Sequence, residues 1–386
     1  MLPATFDSPF SVPYRHRVLF TQHCLDGRNP SLATLLAEPT PAPRRAIALV
    51  DGGVADAWPT LTHDLERTLR AFPDMPELCC VERTAAGEAT KQDDRTAQRV
   101  VQLVDTHKID RQSYVLSIGG GAVQDAVGYG AAIAHRGCRL VRIATTTLAQ
   151  GDAAMAVKNG INTGGKKNFT GTFSVPWGVV CDTAFLPTLP AWAWAGGFSE
   201  AVKIALLRSA DFFAQIERAA PQIAARNMEA ALPVIHQSGL LHYRHIVTGG
   251  DPFETRSARP LDYGHWLAHR LEALTHGQLA HGQAVSIGVA VDTLYSACAG
   301  MLPMSEAHRV LHTLHALGLP VSHALLADAA PLAAGLEEFR EHLGGRLTLT
   351  LLTGIGAPVD VHQLDHALLA RAARMAVDFA AAHRSR

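Results

Sequence analysis

The feature that most constrains this chain is a change of hydrophobic period near its middle. In the first half, short β-branched runs alternate with helical stretches. Arg17–Thr21, Ala46–Val50, Ser113–Ile118, Leu140–Ala144 and Trp177–Cys181 read as strands, with amphipathic pieces such as Ala97–His107 between them. Strands separated by helices imply a parallel α/β sheet. From about Ala191 the apolar residues recur at helical spacing. Ser199–Ser209, Met228–Tyr243, Tyr263–Thr275, Gly282–Ala299 and Ser305–Leu317 read as helices. The expected architecture is an α/β domain over residues 1–187 and an all-α domain over residues 188–386. The joint falls at Leu186–Pro190, in a stretch with two prolines that break regular structure.

Composition narrows the class. A length of 386 residues suits two or three domains, and 48% hydrophobic against 18% charged residues is a globular balance. Lys and Arg number 34 and Asp and Glu 35, so the net charge of −1 gives no global electrostatic case for nucleic acid or an anionic membrane. No long uncharged apolar run suggests a membrane span, and the first residues lack the apolar stretch of a signal peptide. The six cysteines have no metal or disulfide spacing, which fits reduced thiols in a cytoplasmic protein. Cys79-Cys80 and the Trp192/Trp194 pair read as packing residues.

Three segments carry chemistry. Gly119-Gly120-Gly121 follows a strand and precedes the helical stretch Ala122–Ala134, so bare backbone at a helix N-terminus can approach a phosphate. Asp125 sits one turn further on, near any bound phosphate or ribose. Thr145-Thr146-Thr147 ends the next strand, at the edge where parallel sheets bind ligands. Asp152, Lys158 and Lys166-Lys167-Asn168 follow in a glycine-rich stretch that reads as a loop folded round a ligand, with donors for a phosphate. The third segment set is Glu200, His265, His269 and His281. Glu200 and Lys203 share one helix face, and His265 and His269 share another. One carboxylate with two or three imidazoles makes a zinc set with an open position for a substrate oxygen. Spacing alone does not choose among the three histidines.

In these residues the chain resembles the sugar phosphate cyclases, the family of 3-dehydroquinate synthase. The resembling segments are GGGAVQDAVGY (119–129), AHRG (134–137), TTTLAQGD (145–152), VKNGINTGGKKNFTG (157–171), SEAVK (199–203), LDYGHWLAH (261–269) and AHG (280–282). The resemblance implies a dehydroquinate synthase-like fold, with an NAD-binding first domain and a metal- and substrate-binding helical second domain. It makes Glu200, His265 and His281 the ligands of zinc (or cobalt) and puts His269 on the substrate side. Asp51, Glu88, Lys91, Gly120, Gly121, Asp125, Thr145 and Thr146 fall where the family holds NAD. Asp152, Lys158, Lys167, Asn168 and Lys203 fall where it holds a sugar phosphate. Arg136 matches an arginine that reaches a neighbouring subunit, which implies a homodimer. The implied chemistry is oxidation by NAD, loss of phosphate, return of the hydride, ring opening and an intramolecular aldol closure.

Two departures point to the substrate. Dehydroquinate synthases usually read LNxGH where this chain has Leu261-Asp262-Tyr263-Gly264-His265. They carry a lysine near Phe339–Leu343, where this chain has His342. Their substrate bears a carboxylate, which Asp262 would repel in a dry pocket. The segment 250–266, with Arg259, and the segment 339–345 are similar to 2-epi-5-epi-valiolone synthases, which close sedoheptulose 7-phosphate into a C7 cyclitol. The rival readings are 3-dehydroquinate synthase and, in another class, a net NAD-dependent alcohol dehydrogenase, which would accumulate NADH.

Overall fold

The computed structural model of the chain describes residues 6–39, 44–164, 166–255, 260–327, 335–337, 339–341, 345 and 347–383. Six strands form one sheet: β1 (Val18–Thr21), β2 (Arg45–Val50), β3 (Glu77–Arg83), β4 (Tyr114–Gly119), β5 (Arg139–Ala144) and β8 (Gly178–Asp182). Every pairing is parallel, in the order β1-β8-β5-β4-β2-β3. β4 is buried along its whole length, as a parallel strand covered on both faces must be. The chain builds outward from β2 to β3, then returns to β4 and runs the other way. The crevice at the carboxyl ends of β2 and β4 is therefore the topological switch point, where open α/β sheets bind ligands.

Five of the six strands lie within one residue of their expected ends. The sixth, β3, was hidden because its sequence, ELCCVER, is charged at both ends. It is the sheet edge, and Cys79 and Cys80 there are only half-buried. The glycine-rich stretch 157–171 is not a loop but an antiparallel hairpin of β6 (Lys158–Thr163) and β7 (Lys166–Phe173). Gly160 and Gly171 face each other across it, and a Cβ on Gly171 would lie 2.4 Å from the Asn159 carbonyl. Close backbone approach, not side-chain pattern, makes this pair, so β-propensity is silent.

The second half is helical: Ala191–Arg208, Ala210–Ala224, Met228–Thr248, His265–Leu274, His281–Cys298, Met304–Ala316 and His366–Ala382. It also carries one hairpin, β9 (Leu349–Gly354) with β10 (Ala357–Val361). The first of these helices starts eight residues before the expected Ser199, because Pro190 caps it from outside and does not interrupt it. Trp194 is buried and donates to the Ile223 carbonyl, but Trp192 is 56% exposed, contrary to expectation. The His281–Cys298 helix is buried nearly all round and forms the axis of this half. It touches the Ala191–Arg208 helix through glycines: a Cβ on Gly282 would lie 2.3 Å from the Gly196 carbonyl oxygen. That contact brings Glu200, one turn past Gly196, beside His281. No helix among the described residues is long and apolar enough to cross a membrane.

Candidate functional site

At the switch point, the Gly121–Ile133 helix starts directly after β4, with Gly120 as its N-cap. Side chains there would collide: a Cβ on Gly120 would stand 3.1 Å from Thr146 and one on Gly121 3.0 Å from Ala153. Thr145 lies beside them, its N–H on the Gly119 carbonyl at 3.2 Å and its buried hydroxyl without a hydrogen-bond partner. Thr146 caps the next short helix through Ala149 N–H at 3.0 Å. Asp51 accepts from Gly53 N–H at 2.7 Å and Gly87 N–H at 3.0 Å, which ties β2 to the turn that carries Glu88. Lys91 is buried and pairs with Asp125 at 2.5 Å. Burial opposes its charge, but Asp125 and Glu88 raise its pKa above the ordinary value. The residues expected to hold a dinucleotide thus gather at the carboxyl ends of β2, β4 and β5. The bare backbone, the unpartnered Thr145 hydroxyl and the charged Lys91 suit a phosphate-bearing ligand.

The metal candidates meet one layer away. Glu200 Oε1 lies 3.5 Å from His265 Nε2 and 3.4 Å from His281 Nε2, and the three residues can share an ion. Glu200 is fully buried, and neither carboxylate oxygen makes a well-aligned hydrogen bond, although Lys203 Nζ is 2.6 Å away. Burial would push its carboxyl up, but Lys203, His265 and His281 hold it well below the usual range. An ionised, buried carboxylate with unfilled acceptors, facing two imidazole nitrogens, fits a divalent cation. His265 keeps Nε2 for that side because its Nδ1 meets the Tyr263 carbonyl at 3.2 Å. His269 stands beside them, 5.5 Å ring to ring from His265. Burial, His265 and Lys167 keep it neutral, far below its ordinary pKa.

Two residues that the sequence reading passed over join the site. Glu272, on the His265–Leu274 helix, is buried, accepts from His281 Nδ1 at 3.2 Å and from Lys167, and so orients His281. Its signal was its position, three residues after His269 on the same face. His242 is fully buried, with Nε2 3.4 Å from Asp152 and Nδ1 3.0 Å from the Ser238 carbonyl. Nothing in its local sequence, GLLHYRH, marked it. Among the described residues, His269–Glu272–His281 and Asp152–Glu200–His242 are two further groups that could hold an ion, each sharing a residue with the first.

Of the substrate candidates, Lys203, Asp152 and Lys167 reach this cluster. Lys203 is buried against Glu200, with Asp152 at 3.7 Å. Lys158 pairs with Glu254 at 2.5 Å. Desolvation opposes both ammonium charges. Asp152 and Asp262 help raise both pKa values, along with Glu254 at Lys158 and Glu200 at Lys203. Asp262 lies within electrostatic reach of the two lysines, on the turn Pro260–Asp262, three residues before His265. Asn168 is exposed, in a left-handed conformation (φ 52°), with its N–H on Asn162. Arg136 is exposed, past the far end of the Gly121–Ile133 helix, about 20 Å along the helix axis from the glycines. It stands clear of its own chain's site. Arg259 and His342 lie outside the described residues.

A glycine-floored crevice beside a buried carboxylate–imidazole cluster defines a cofactor-dependent α/β enzyme with a helical metal domain. Comparison with known proteins makes the class specific. The family descriptions "3-dehydroquinate synthase N-terminal" and "3-dehydroquinate synthase C-terminal" match residues 82–195 and 197–338. A 3-dehydroquinate synthase of Rhodopseudomonas palustris (strain BisB18) is 33% identical over 345 residues, covering 87% of both chains. The chain belongs to the 3-dehydroquinate synthase-like family. Among solved structures, 2-epi-5-epi-valiolone synthase from Streptomyces hygroscopicus subsp. jinggangensis 5008, with NAD+ and Zn2+ bound, superposes with a TM-score of 0.86 at 27% identity, over 97% of this chain and 100% of that one. A 2-deoxy-scyllo-inosose synthase complexed with carbaglucose-6-phosphate, NAD+ and Co2+ shares the fold, with a TM-score of 0.77 at 21% identity over 93% and 96% of the two chains.

Proposed function

We propose that the protein is a sugar phosphate cyclase that converts sedoheptulose 7-phosphate to a C7 cyclitol, 2-epi-5-epi-valiolone or a stereoisomer, with release of phosphate. It acts as a cytoplasmic homodimer, with Arg136 reaching the partner. NAD lies over Gly120 and Gly121, and zinc (or cobalt) is held by Glu200, His265 and His281. Bound there, NAD supplies a recycled hydride acceptor, and the ion supplies positive charge beside the reacting alcohol. Lys158, Lys167, Asn168 and His269 hold the phosphate group. Asp152 and Lys203 orient hydroxyls, and Lys203 keeps Glu200 ionised. The closing step is intramolecular, so positioning by these residues contributes much of the rate.

The observation that carries the choice of substrate is Asp262. Its carboxylate lies within electrostatic reach of Lys158 and Lys203, where it helps keep both ammonium groups charged, on the turn that leads into the helix of His265. There it accepts a hydrogen bond from a sugar hydroxymethyl group and repels a substrate carboxylate. The likeness to a valiolone synthase over nearly the whole chain supports the same reading. The 3-dehydroquinate synthase relatives support the reaction class but not that substrate. The test of class is turnover of sedoheptulose 7-phosphate with zinc and substoichiometric NAD. Many phosphates released per NAD, with no lasting NADH absorbance, is the expected result. One NADH accumulating per substrate consumed would instead identify a net dehydrogenase.

A further inference from the structure

Asp292 is a buried acidic residue that nothing in the proposed chemistry uses. It sits on the axial helix His281–Cys298, three turns beyond His281. One of its oxygens accepts the Gly264 N–H at 2.9 Å, and the other accepts Trp266 Nε1–H at 2.9 Å. Burial pushes its carboxyl up to about 7, against the pull of those two donors. A buried carboxylate without a cation is costly, so a fold keeps it where it holds something in place.

What it holds is the corner Tyr263–Trp266. Gly264 is left-handed there (φ +77°), and a Cβ on it would lie 2.7 Å from Val289 N. The Tyr263 hydroxyl meets Thr293 at 2.6 Å, one residue from Asp292. The corner is therefore pressed on the axial helix at three residues, Tyr263, Gly264 and Trp266, which flank His265. Asp262 enters this corner and His265 leaves it. His265 takes its ring orientation from the Tyr263 carbonyl inside the corner. The same rigid helix carries His281.

We propose that Asp292 is a positioning residue. By fixing the corner to the helix of His281, it sets the distance between the two imidazole ligands and the station of Asp262, so it ties metal retention to substrate recognition. The inference rests on the metal reading above. Asp292→Asn keeps the shape and one acceptor but turns an amide nitrogen toward an N–H, and Trp266→Phe removes one donor.

The experiment is zinc affinity by chelator competition on the full-length protein, with thermal midpoints of the zinc-free forms in parallel. Wild type should bind zinc. Asp292→Asn should bind it ten- to a hundredfold more weakly, roughly the effect of losing a group that orients a ligand. Trp266→Phe should bind severalfold more weakly, and both zinc-free midpoints should stay close to wild type. If wild type binds no zinc, the metal assignment itself fails. If wild type binds it and the variants match wild type, the positioning role fails. It also fails if lost affinity comes only with a collapse of the zinc-free midpoint. Should Asp292→Asn not fold, Trp266→Phe decides the matter alone.

Discussion

Replacing Glu272 by glutamine probes how the site holds its metal. Glu272 is 6% exposed and receives two positively polarised donors, His281 Nδ1–H at 3.2 Å and the Lys167 ammonium. Burial works against its charge, yet His281 and Lys167 hold its carboxyl far below the usual range, and in return it helps raise His281 to about 9. Through the contact at Nδ1 the carboxylate fixes which nitrogen of His281 faces Glu200. Glutamine keeps one acceptor oxygen and turns an amide N–H₂ toward the other donor. A lost charge-assisted hydrogen bond of this kind costs about 1.5–3 kcal/mol. At roughly 1.4 kcal/mol per factor of ten, zinc should bind about ten- to a hundredfold more weakly. Lys167, left without its partner, repels the ion and adds to the effect. Chelator competition gives the zinc affinity, and phosphate release at saturating zinc should recover part of the lost activity. Zinc affinity within twofold of wild type would refute the orienting role of Glu272.

Other outcomes follow from the same geometry. Lys203→Met should destabilise the zinc-free protein by about 3–5 kcal/mol, because it strands the buried Glu200 charge, and by less with zinc bound; denaturant unfolding with and without zinc checks this. Gly197→Ala would place a Cβ 2.3 Å from Leu148 N, so unfolding should show a loss of about 1–3 kcal/mol. Burial, Arg208 and His242 lower His245 to about 4 from an ordinary 6.5, so the folded state resists a proton that the unfolded chain accepts. That contribution is present above pH 6.5 and is lost as pH falls toward 4. His245→Gln should lose less stability than wild type between pH 7.5 and pH 5, read from thermal midpoints.

The parallel sheet was legible because β2, β4, β5 and β8 are short apolar runs; helical spacing grouped Glu200 with three histidines, but the choice of His265 and His281 among them came from the family resemblance. The β6–β7 hairpin was not, since opposed glycines at 160 and 171, not side-chain alternation, make it. His242 and Glu272 escaped for a different reason. Each acts through a partner that only tertiary packing supplies, Asp152 for the one and His281 with Lys167 for the other. Asp292 belongs with them. It lies in a run of apolar residues, and its meaning comes from the Gly264 and Trp266 donors folded against it.

In the proposed function, Asp262 selects a substrate without a carboxylate. The most direct measurement compares kcat/KM on the wild-type protein for sedoheptulose 7-phosphate and for the carboxylated heptulosonate phosphate that dehydroquinate synthases cyclise, by phosphate release and product mass. Turnover of the heptulose phosphate should be favoured at least about tenfold, the scale of a mispaired buried charge. Efficient turnover of the carboxylated substrate, with little or none of the heptulose phosphate, would contradict it.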